Sequence, residues 1–369
     1  MIFKKTKPKD QEYSSVNAEV WKKLKKNKMA MFSLYLIGFF TLIAILGYTI
    51  TPDQTPFANQ QYLEIATKKP GFKATFLRIY DIQNVKHNNF FQHLAFGTPN
   101  PYSSYPIYKY WKKGNILYAE CYTGEKKNNG EIISVNTSNT KYEIKNQRYW
   151  LGTDRYGRDM LSQLMIGTRV SLSVGFISII ISLIIGVTLG AIAAYYGKWV
   201  DNLIMWLINV VWSIPTILLV IAITFALGKG FWQVFVAVGL TMWVDVARVV
   251  RGQILSLREK EFVEAARALG FKNSRIIIKH ILPNVVGAAT VITASNFATA
   301  ILQEAGLSFL GIGVQPPMPS WGTMIKENYG YIILDSPYMA IIPGIAIMLL
   351  VLAFIQLGSG LRQAMDVKK

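Results

Sequence analysis

The chain has 369 residues, of which 51% are hydrophobic and only 16% are charged. Its mean hydropathy of +0.28 excludes an ordinary soluble domain and indicates a membrane protein. The net charge of +18 could suggest a nucleic-acid-binding protein, but the basic residues gather in segments that flank apolar stretches. That distribution argues against nucleic acid as a partner and indicates charge-directed membrane topology.

Uncharged apolar windows of about 20 residues predict membrane-spanning helices. We count six, at residues 29–50, 170–196, 203–227, 228–247, 285–305 and 338–360. The first is too long for the core of a signal peptide and no small-residue cleavage site follows it, so we expect an uncleaved anchor. The fourth is the weakest, because only 15 residues separate Lys229 from Asp245. The sequence therefore predicts an all-α polytopic membrane protein.

Lysine and arginine predict which side of the membrane each segment occupies. Residues 1–28 contain nine lysines, residues 248–279 contain eight lysines and arginines, and residues 362–369 add three more. With six spans these regions share one side, which the positive-inside rule makes cytoplasmic. The connection 51–165 is also basic, with 15 lysines and arginines against 9 acidic residues, but long loops translocate largely regardless of charge. Both termini are therefore expected in the cytoplasm.

Residues 51–165 form the only stretch long enough to be a separate soluble unit. Between Ile132 and Ile144, β-branched and aromatic residues flank Asn136-Thr137-Ser138-Asn139, a pattern that predicts a β-hairpin. We expect a small extracytoplasmic domain of mostly strands, with a loosely ordered loop as the alternative. Cys121 is the only cysteine, which excludes an internal disulfide and gives no sign of a metal cluster.

Residues 166–361 have the pattern of a compact helical core with short loops. Gly186, Gly190 and Ala194 repeat at four-residue spacing, which allows another helix to approach closely in lipid. Pro215 lies within the third span and predicts a kink, either beside a pathway or as a structural bend. Polar residues within the spans could line a pathway or form hydrogen bonds between helices. These candidates are Asn209, Ser213, Asn296, Thr299 and Gln303.

A short polar block, residues 255–284, separates the fourth and fifth spans. A helix from about 258 to 269 would place four apolar residues on one face, namely Phe262, Ala265, Ala266 and Leu269. On the other side, charged residues lie at spacings that allow ion pairs, namely Lys260, Glu264 and Arg267. The alanines at the centre would let the surface of another protein approach the backbone.

The end of this block carries its own helix signals. Gly270 fits a helix C′ position, where a positive φ carries no penalty. Asn273 or Ser274 could cap a second short helix, and Pro283 is tolerated in the first turn of the next span. On physical grounds the block could be a lever docked into a partner or an amphipathic connector lying on lipid headgroups.

The segment Glu264-Ala265-Ala266-x3-Gly270-x9-His280-Ile281-Leu282-Pro283 resembles the EAA loop of ABC importer permeases. The general consensus has isoleucine in place of His280, whereas the peptide-importer branch commonly has His-Ile-Leu-Pro. Residues 151–159 and 304–322 resemble two further motifs of that branch, in the same order. Together the three segments are similar to a dipeptide, oligopeptide or nickel permease of the "C" subunit kind. Residues 51–149 match nothing in that family.

The resemblance implies a fold, a function and a set of partners. The fold would be the type I architecture of ABC importers. The chain would be a non-enzymatic subunit of a bacterial inner membrane, forming half of a pathway for di- or oligopeptides or a related solute such as a nickel complex. Its partners would be a second homologous permease, two cytoplasmic ATP-binding subunits and an extracytoplasmic solute-binding protein, with no cofactor and no metal. Coupling to the ATPases would use Glu264, Ala265, Ala266, Gly270, His280, Leu282 and Pro283.

Other classes of membrane protein fit the sequence less well. An intramembrane serine protease needs a base beside its nucleophile, yet none of the three histidines, His87, His93 and His280, lies within a predicted span. The sequence has no Gly-x4-Gly-Lys-Ser/Thr phosphate loop, so ATP would be bound by another chain. A secondary transporter, which usually carries acidic residues within its spans, and a sensor that uses residues 51–165 remain the alternatives.

Overall fold

The computed structural model describes residues 16–80, 88–124, 130–228 and 230–365. Its helices are α1 (Val16–Lys26), α2 (Lys28–Ile50), α3 (Phe90–Phe96), α4 (Met160–Tyr196), α5 (Lys198–Ser213), α6 (Thr216–Leu227), α7 (Phe231–Leu257), α8 (Glu261–Ala268), α9 (Asn273–Arg275), α10 (Leu282–Phe309), α11 (Trp321–Asn328) and α12 (Tyr338–Met365). Its strands are β1 (Phe72–Tyr80), β2 (Tyr102–Lys113), β3 (Ile116–Cys121), β4 (Ile132–Asn136) and β5 (Tyr142–Tyr149). The protein is thus predominantly helical, with a small sheet between α2 and α4.

Within the described ranges, five helical stretches are long and apolar enough to cross a membrane. They are α2, α4, α7, the continuous stretch 273–309 that ends in α10, and α12. The bent pair α5 and α6 makes a sixth if it counts as one span, and the prediction of about six spans holds in that sense. The helices extend past the predicted windows because polar residues continue them. α4 begins at Met160, where the Asp159 carboxylate accepts the amide N–H of Ser162 at 2.9 Å.

Pro215 produces the predicted kink in the third span. The axes of α5 and α6 differ by 94° across this break. Ile214 adopts extended backbone angles (φ −90°, ψ 129°), which is the conformation favoured before a proline. α6 starts directly after the proline, whose ring has no N–H to continue the hydrogen bonds of α5. The pair is therefore a bent element and not a straight rod.

Small residues bring α4 and α7 into close contact. A Cβ on Gly186 would lie 2.7 Å from the carbonyl oxygen of Trp243, and a Cβ on Gly190 would lie 2.6 Å from that of Ala247. Both distances are too short for a side chain, so glycine is required where the two backbones meet. The packing role predicted for the glycine repeat is confirmed.

The segment between α2 and α4, called the insert below, contains an antiparallel sheet with the strand order β4-β3-β2-β1-β5 in the part of the chain that the structure describes. Strands do flank residues 136–139, but they do not pair with each other. β4 pairs with β3, and β5 pairs with β1, so the predicted hairpin is wrong. The two strands still share one apolar cluster, in which Val135 of β4 and Ile144 of β5 pack with Leu77 and Leu117. They lie at opposite edges of the sheet.

Hydrogen bonds tie the insert to the helices. The Thr153 hydroxyl, just before α4, donates to the Ile65 carbonyl oxygen at 2.6 Å and accepts the Lys68 amide N–H at 2.8 Å. The Tyr338 hydroxyl at the start of α12 donates to the Lys68 carbonyl oxygen at 2.9 Å. The sheet is therefore attached through the turns that precede β1 and α4.

Candidate functional site

The predicted coupling block, residues 255–284, folds as α8, a tight turn and the helical stretch that becomes α10. α8 buries two side chains, Val263 (0% exposed) and Ala266 (3% exposed). They pack in an apolar cluster with Ile254 at the end of α7 and Ile276 at the start of the next helical stretch. α8 is thereby clamped between two helices that continue into the membrane-spanning bundle. We call residues 255–284 the coupling loop.

A face of α8 next to the buried one is apolar and exposed. The sequence predicted that four residues would share one face, and the structure splits them, because Ala266 points into the core while the others point outward. Phe262 is 41% exposed, Leu269 is 72% exposed, and Ala265 is also exposed. Their spacing of i, i+3 and i+7 aligns them along the helix. We call these three residues the α8 stripe; an uncovered apolar stripe of this kind is typical of an interaction surface.

The charged residues of α8 do not form the ion pairs that their spacing allows. Among the described residues, no salt bridge joins Lys260, Glu264 and Arg267. Arg267 lies instead over the ring of Tyr195 at the end of α4, with its guanidinium carbon 5.5 Å from the ring centroid. Glu264 stays exposed next to the α8 stripe.

Gly270 ends α8 in the predicted way. Its φ is +75°, a backbone conformation that glycine adopts without penalty. The Gly270 N–H donates to the Arg267 carbonyl oxygen at 2.9 Å, and the Phe271 N–H donates to that of Ala266 at 3.2 Å. This pair of bonds is the Schellman arrangement. It reverses the chain within two residues and fixes the angle between α8 and the following helix.

Two contacts with the end of α4 hold the coupling loop in place. The Tyr195 hydroxyl donates to the Asn273 carboxamide oxygen at 2.8 Å, and Arg258 donates to the Ala194 carbonyl oxygen at 2.8 Å. The predicted capping role of Asn273 or Ser274 is wrong. The helix starts at Asn273 with Lys272 at the N-cap and no side-chain cap bond, because the Asn273 carboxamide is engaged by Tyr195.

A π turn leads from the coupling loop into α10. At Ile276–Ile281 the helix widens, and the Leu282 N–H donates to the carbonyl oxygen of Ile277, five residues earlier. Pro283 follows in the first turn of α10, so a wider turn lies just before the residue that cannot donate a hydrogen bond. His280, which is half-buried, stacks on the Phe271 ring with 5.8 Å between ring centroids. Helical backbone therefore continues from Asn273 to Phe309 without a break.

The structure separates the candidate pathway residues into several places. Thr299 and Gln303 of α10 line a cavity of about 80 Å³ together with Asp245 of α7. Asn209 of α5 accepts a hydrogen bond from Arg248 at 3.0 Å. These residues face the bent pair α5 and α6, which is the most exposed part of the bundle.

The two other candidates have different surroundings. The Ser213 hydroxyl donates to the Val210 carbonyl oxygen of its own helix at 2.8 Å, as expected for a serine that stabilises a helix end. Asn296 is buried, and its Nδ2 has no hydrogen-bond partner among the described residues. Thr299 and Gln303 alone among the five share one cavity in the described part of the chain.

At the opposite end of the bundle, buried charges join the segment before α4 to α11. Arg158 donates from Nε to the Asp154 carboxylate at 2.6 Å and from Nη2 to Glu327. The side chains of Asp154 and Arg158 are 2% and 6% exposed. Sequence reasoning identified residues 151–159 as a motif but missed this pairing. The i, i+4 spacing of Asp154 and Arg158 was the available signal, whereas the distant Glu327 gave none.

Next to this pair, a carboxylate on α10 is enclosed by serines. Glu304 is fully buried and accepts hydrogen bonds from Ser171 of α4 at 3.2 Å and from Ser308 at 2.8 Å. The Ser308 hydroxyl in turn accepts the Val314 N–H at 3.1 Å. The motif 304–322 is thus folded back onto its own helix. We call Asp154, Arg158, Glu304, Ser308 and Glu327 the polar junction.

Burial shifts the acids that precede α4. It raises the pKa of Asp159 to about 6, against an ordinary 3.8, although hydrogen bonds from Ser162 oppose the shift. It also raises the pKa of Asp154, against the opposing effect of Arg158. The segment before α4 therefore keeps these two carboxyl groups largely out of contact with water.

Two family models match the chain at its two ends. The model of the binding-protein-dependent transport system inner membrane component matches residues 186–367. The N-terminal TM domain of oligopeptide transport permease C matches residues 15–70. The dipeptide transport system permease protein DppC of Alkalihalophilus pseudofirmus is 44% identical over 220 residues, which cover 60% of this chain and 72% of that protein. The chain belongs to the ABC importer permeases.

A second relative agrees with this family. The glutathione transport system permease protein GsiD of Pectobacterium atrosepticum is 43% identical over 220 residues, covering 60% of this chain and 73% of the relative. Among solved structures, the inward-facing MetNI methionine ABC transporter matches with a TM-score of 0.46 and 20% identity, over 57% of this chain and 98% of the other. The ABC importer permease is thus a multi-pass membrane protein of a family that works with ATP-hydrolysing subunits and a solute-binding protein.

Proposed function

We propose that this ABC importer permease forms one half of a translocation pathway for short peptides and is driven by ATPases that dock on its coupling loop. The observation that carries the proposal is the exposed α8 stripe, which sits on a helix clamped between α7 and α10. A surface that is apolar, uncovered and rigidly attached to two long helices has the properties of a docking lever. A connector lying on lipid would need no such clamp.

The contacts around α8 support a mechanical route into the membrane. Val263 and Ala266 pack α8 against Ile254 of α7 and Ile276. The helical stretch that contains Ile276 runs through the π turn into α10 without a break. A partner that binds the α8 stripe and closes on ATP would displace both helices together. Such coupling requires a membrane element with two arrangements, biased by contacts at a distant site.

Each proposed coupling residue has a distinct task. Glu264 and Ala265 present the surface next to the partner, and Ala266 holds α8 in the core. Gly270 sets the turn between the helices. His280, Leu282 and Pro283 form the junction from which the motion would enter α10.

The pathway would run beside the bent pair α5 and α6. Thr299, Gln303 and Asp245 line the cavity there, and Asn209 lies nearby with Arg248. This side of the bundle is exposed in the isolated chain, which is what a half-pathway completed by a second homologous permease requires. The exposed Ser213 of α5 would contribute to the same surface, whereas Asn296 of α10 is buried and would not line it. Two ATPase subunits would then serve the two permeases.

We propose short peptides as the solute. Two relatives above 40% identity are permeases of dipeptide and glutathione transport systems, and both names denote short peptides. The family resemblance also allows a nickel complex, which remains the second candidate. Because an extracytoplasmic binding protein selects the solute in such systems, this permease would mainly provide a passage of suitable size.

The topology completes the proposal. Residues 1–28 and 362–369 would be cytoplasmic, residues 29–50 the first span, and residues 51–165 an extracytoplasmic insert, followed by the permease core 166–361. The basic segments and the coupling loop then lie on the same side as ATP. The insert would face the solute-binding protein.

The test is ATP-driven uptake of a labelled dipeptide into proteoliposomes that contain both permeases and the ATPases, with the binding protein added outside. Gly270→Asp forces a side chain into a φ of +75° and places a charge beside the α8 stripe. It should abolish uptake while the complex still reaches the membrane. The matched control is Gly252→Asp, at an exposed helical glycine with nothing within 4 Å of its added Cβ, which should transport normally. Normal uptake by Gly270→Asp would refute the lever.

A further inference from the structure

An arginine in the membrane-spanning helix α4 holds the short helix α3 of the insert. Arg169 in α4 donates hydrogen bonds to the carbonyl oxygens of Ala44 (2.8 Å) and Ile45 (3.1 Å) in α2. It also donates to those of Leu94 (2.7 Å) and Ala95 (2.8 Å) in α3. A guanidinium presents its donors in a planar fork, so it can join two helices as a lysine cannot. α3 is therefore fixed at a defined height along α2.

That height lies inside the apolar length of α2. Ala44 precedes the last residue of α2, Ile50, by six positions, which is about 9 Å along the axis at ~1.5 Å per residue. α2 has 23 residues and is thus about 34 Å long, against a hydrocarbon core of about 30 Å. α3 therefore lies at the level of the lipid acyl chains.

The side chains of α3 suit that position. Phe90, Phe91 and Phe96 are 65%, 79% and 71% exposed. In water they would form an apolar patch of the kind that soluble surfaces avoid, whereas aromatic rings are enriched near the boundary of a bilayer. The chain turns away after α3 at Gly97, where φ is +72° and an added Cβ would lie 2.7 Å from the Gln54 carbonyl oxygen. The turn returns the chain from the helix to the end of α2.

An apolar cleft of about 830 Å³ lies between α3 and the membrane-spanning helices. This volume is in the range of cavities that hold a small ligand. Its walls include Phe91 of α3, Ile45 of α2 and Phe176 of α4, and these side chains also belong to the exposed apolar surface of the bundle. The cleft is therefore continuous with the surface that contacts lipid.

We propose that one acyl chain of a bilayer phospholipid occupies this cleft and that α3 is embedded in the adjoining leaflet. Two observations select this occupant: the depth that Arg169 imposes on α3, and the continuity of the cleft with lipid-facing side chains. The lipid would seat the insert against α2 and α4. The proposal does not depend on which solute is transported.

The position of α3 is tested by fluorescence in the assembled transporter in liposomes. In a Cys121→Ser background, Phe91→Cys is labelled with an environment-sensitive dye, and phospholipids brominated within the acyl chain serve as quenchers. Leu42→Cys, exposed on α2 outside the cleft, is the lipid-facing reference and Lys112→Cys, at the exposed end of β2, is the aqueous reference. We expect quenching at position 91 to match position 42 and to exceed position 112 several-fold. Quenching at position 91 no greater than at 112 overturns the proposal, whether water or a partner subunit covers α3.

The occupant of the cleft is tested with a phospholipid that carries a photoreactive group on one acyl chain. Cross-linked peptides should come from the cleft walls in α2, α3 and α4. Ser173→Trp, which fills the cleft from α4, should reduce this cross-linking at least several-fold. Thr188→Trp, on an exposed position of the same helix, should leave it unchanged. Absence of cleft peptides in the natural sequence, or equal labelling in both variants, would contradict an acyl chain in this cleft.

Discussion

The two ends of α10 are built in opposite ways. At the insert end the polar junction buries charged and hydroxyl groups and satisfies them with one another, as Glu304 and Ser308 show. At the other end, α8 exposes apolar side chains that nothing in the described chain covers, Leu269 most of all. A buried polar network holds one arrangement because breaking it is costly. An uncovered apolar stripe is complete only with another surface. One end is thus satisfied within the chain, and the other is the uncovered surface that we propose as the handle for an ATPase.

Removing the arginine of the polar junction should have the largest effect on the stability of the protein. Arg158→Ala leaves the buried Asp154 carboxylate without its charge partner, and breaking such a pair costs about 3–5 kcal/mol of unfolding free energy. The measurement is unfolding of the detergent-purified permease by denaturant or heat. Arg155→Ala is the control, because that side chain is partly exposed and lies 3.8 Å from Glu327. A longer and more hydrated pair is worth less, so we expect a cost of about 1 kcal/mol. Equal effects of the two variants would mean that the junction does not hold the fold.

The pH dependence of stability tests the burial of a second acid at the insert end, Asp159. Because the pKa of Asp159 is about 6 when folded and 3.8 ordinarily, the folded state binds the extra proton. Stability from this group is therefore greatest below pH 4 and falls as the pH rises through about 6, by about 3 kcal/mol at most. Asp159→Asn keeps a residue that can cap α4 but does not titrate. Melting curves from pH 4 to 7 should show the natural protein losing stability relative to the variant, and parallel curves would disprove the shift.

Two glycines at the insert end, Gly322 on α11 and Gly306 on α10, differ in how closely other atoms approach them. A Cβ on Gly322 would lie 2.6 Å from the carbonyl oxygen and 2.7 Å from the Cα of Ala305, which are backbone atoms that cannot turn aside. Gly322→Ala should therefore destabilise the protein by about 1–3 kcal/mol. Gly306→Ala, on α10 with nothing within 4 Å of its added Cβ, should be neutral or slightly stabilising. The same unfolding assay compares them, and a neutral Gly322→Ala would show that the insert end can relax.

The smallest effect on stability should accompany the largest effect on transport. Leu269→Ser changes an exposed side chain and should alter unfolding free energy by no more than about 0.5 kcal/mol, yet it should abolish ATP-driven uptake. Val263→Ala, six residues earlier and fully buried, should cost about 2 kcal/mol. Stability is read from unfolding in detergent and transport from uptake into proteoliposomes. If Leu269→Ser transports normally, the α8 stripe is not the handle.

Much of the helical framework could be predicted from the sequence because it depends on local signals. Apolar length gives the spans, proline gives the bend at residue 215, and glycine gives both the α4–α7 contact and the end of α8. Each of these is a property of a few neighbouring residues. The three motifs that identified the family are also local.

The features that could not be predicted depend on distant partners. The buried face of α8 is chosen by Ile254 and Ile276, which pack against it only in three dimensions. Ala266 was therefore separated from Phe262, with which it was predicted to share a face. Asn273 does not cap its helix because its carboxamide oxygen accepts a hydrogen bond from Tyr195 on another helix. Strands β4 and β5 do not form a hairpin because each pairs with a strand earlier in the chain, β4 with β3 and β5 with β1.

The most direct test of the handle is a cross-link between the coupling loop and an ATP-hydrolysing subunit in the assembled transporter. In a Cys121→Ser background, Leu269→Cys carries a photoactivatable cross-linker, and Lys23→Cys, exposed on α1 next to the end of α12, carries it as the control on the same side. The account predicts that position 269 captures the ATPase, that ATP binding changes the yield, and that position 23 captures it weakly. Capture of lipid alone at position 269, with no ATPase product, would contradict it.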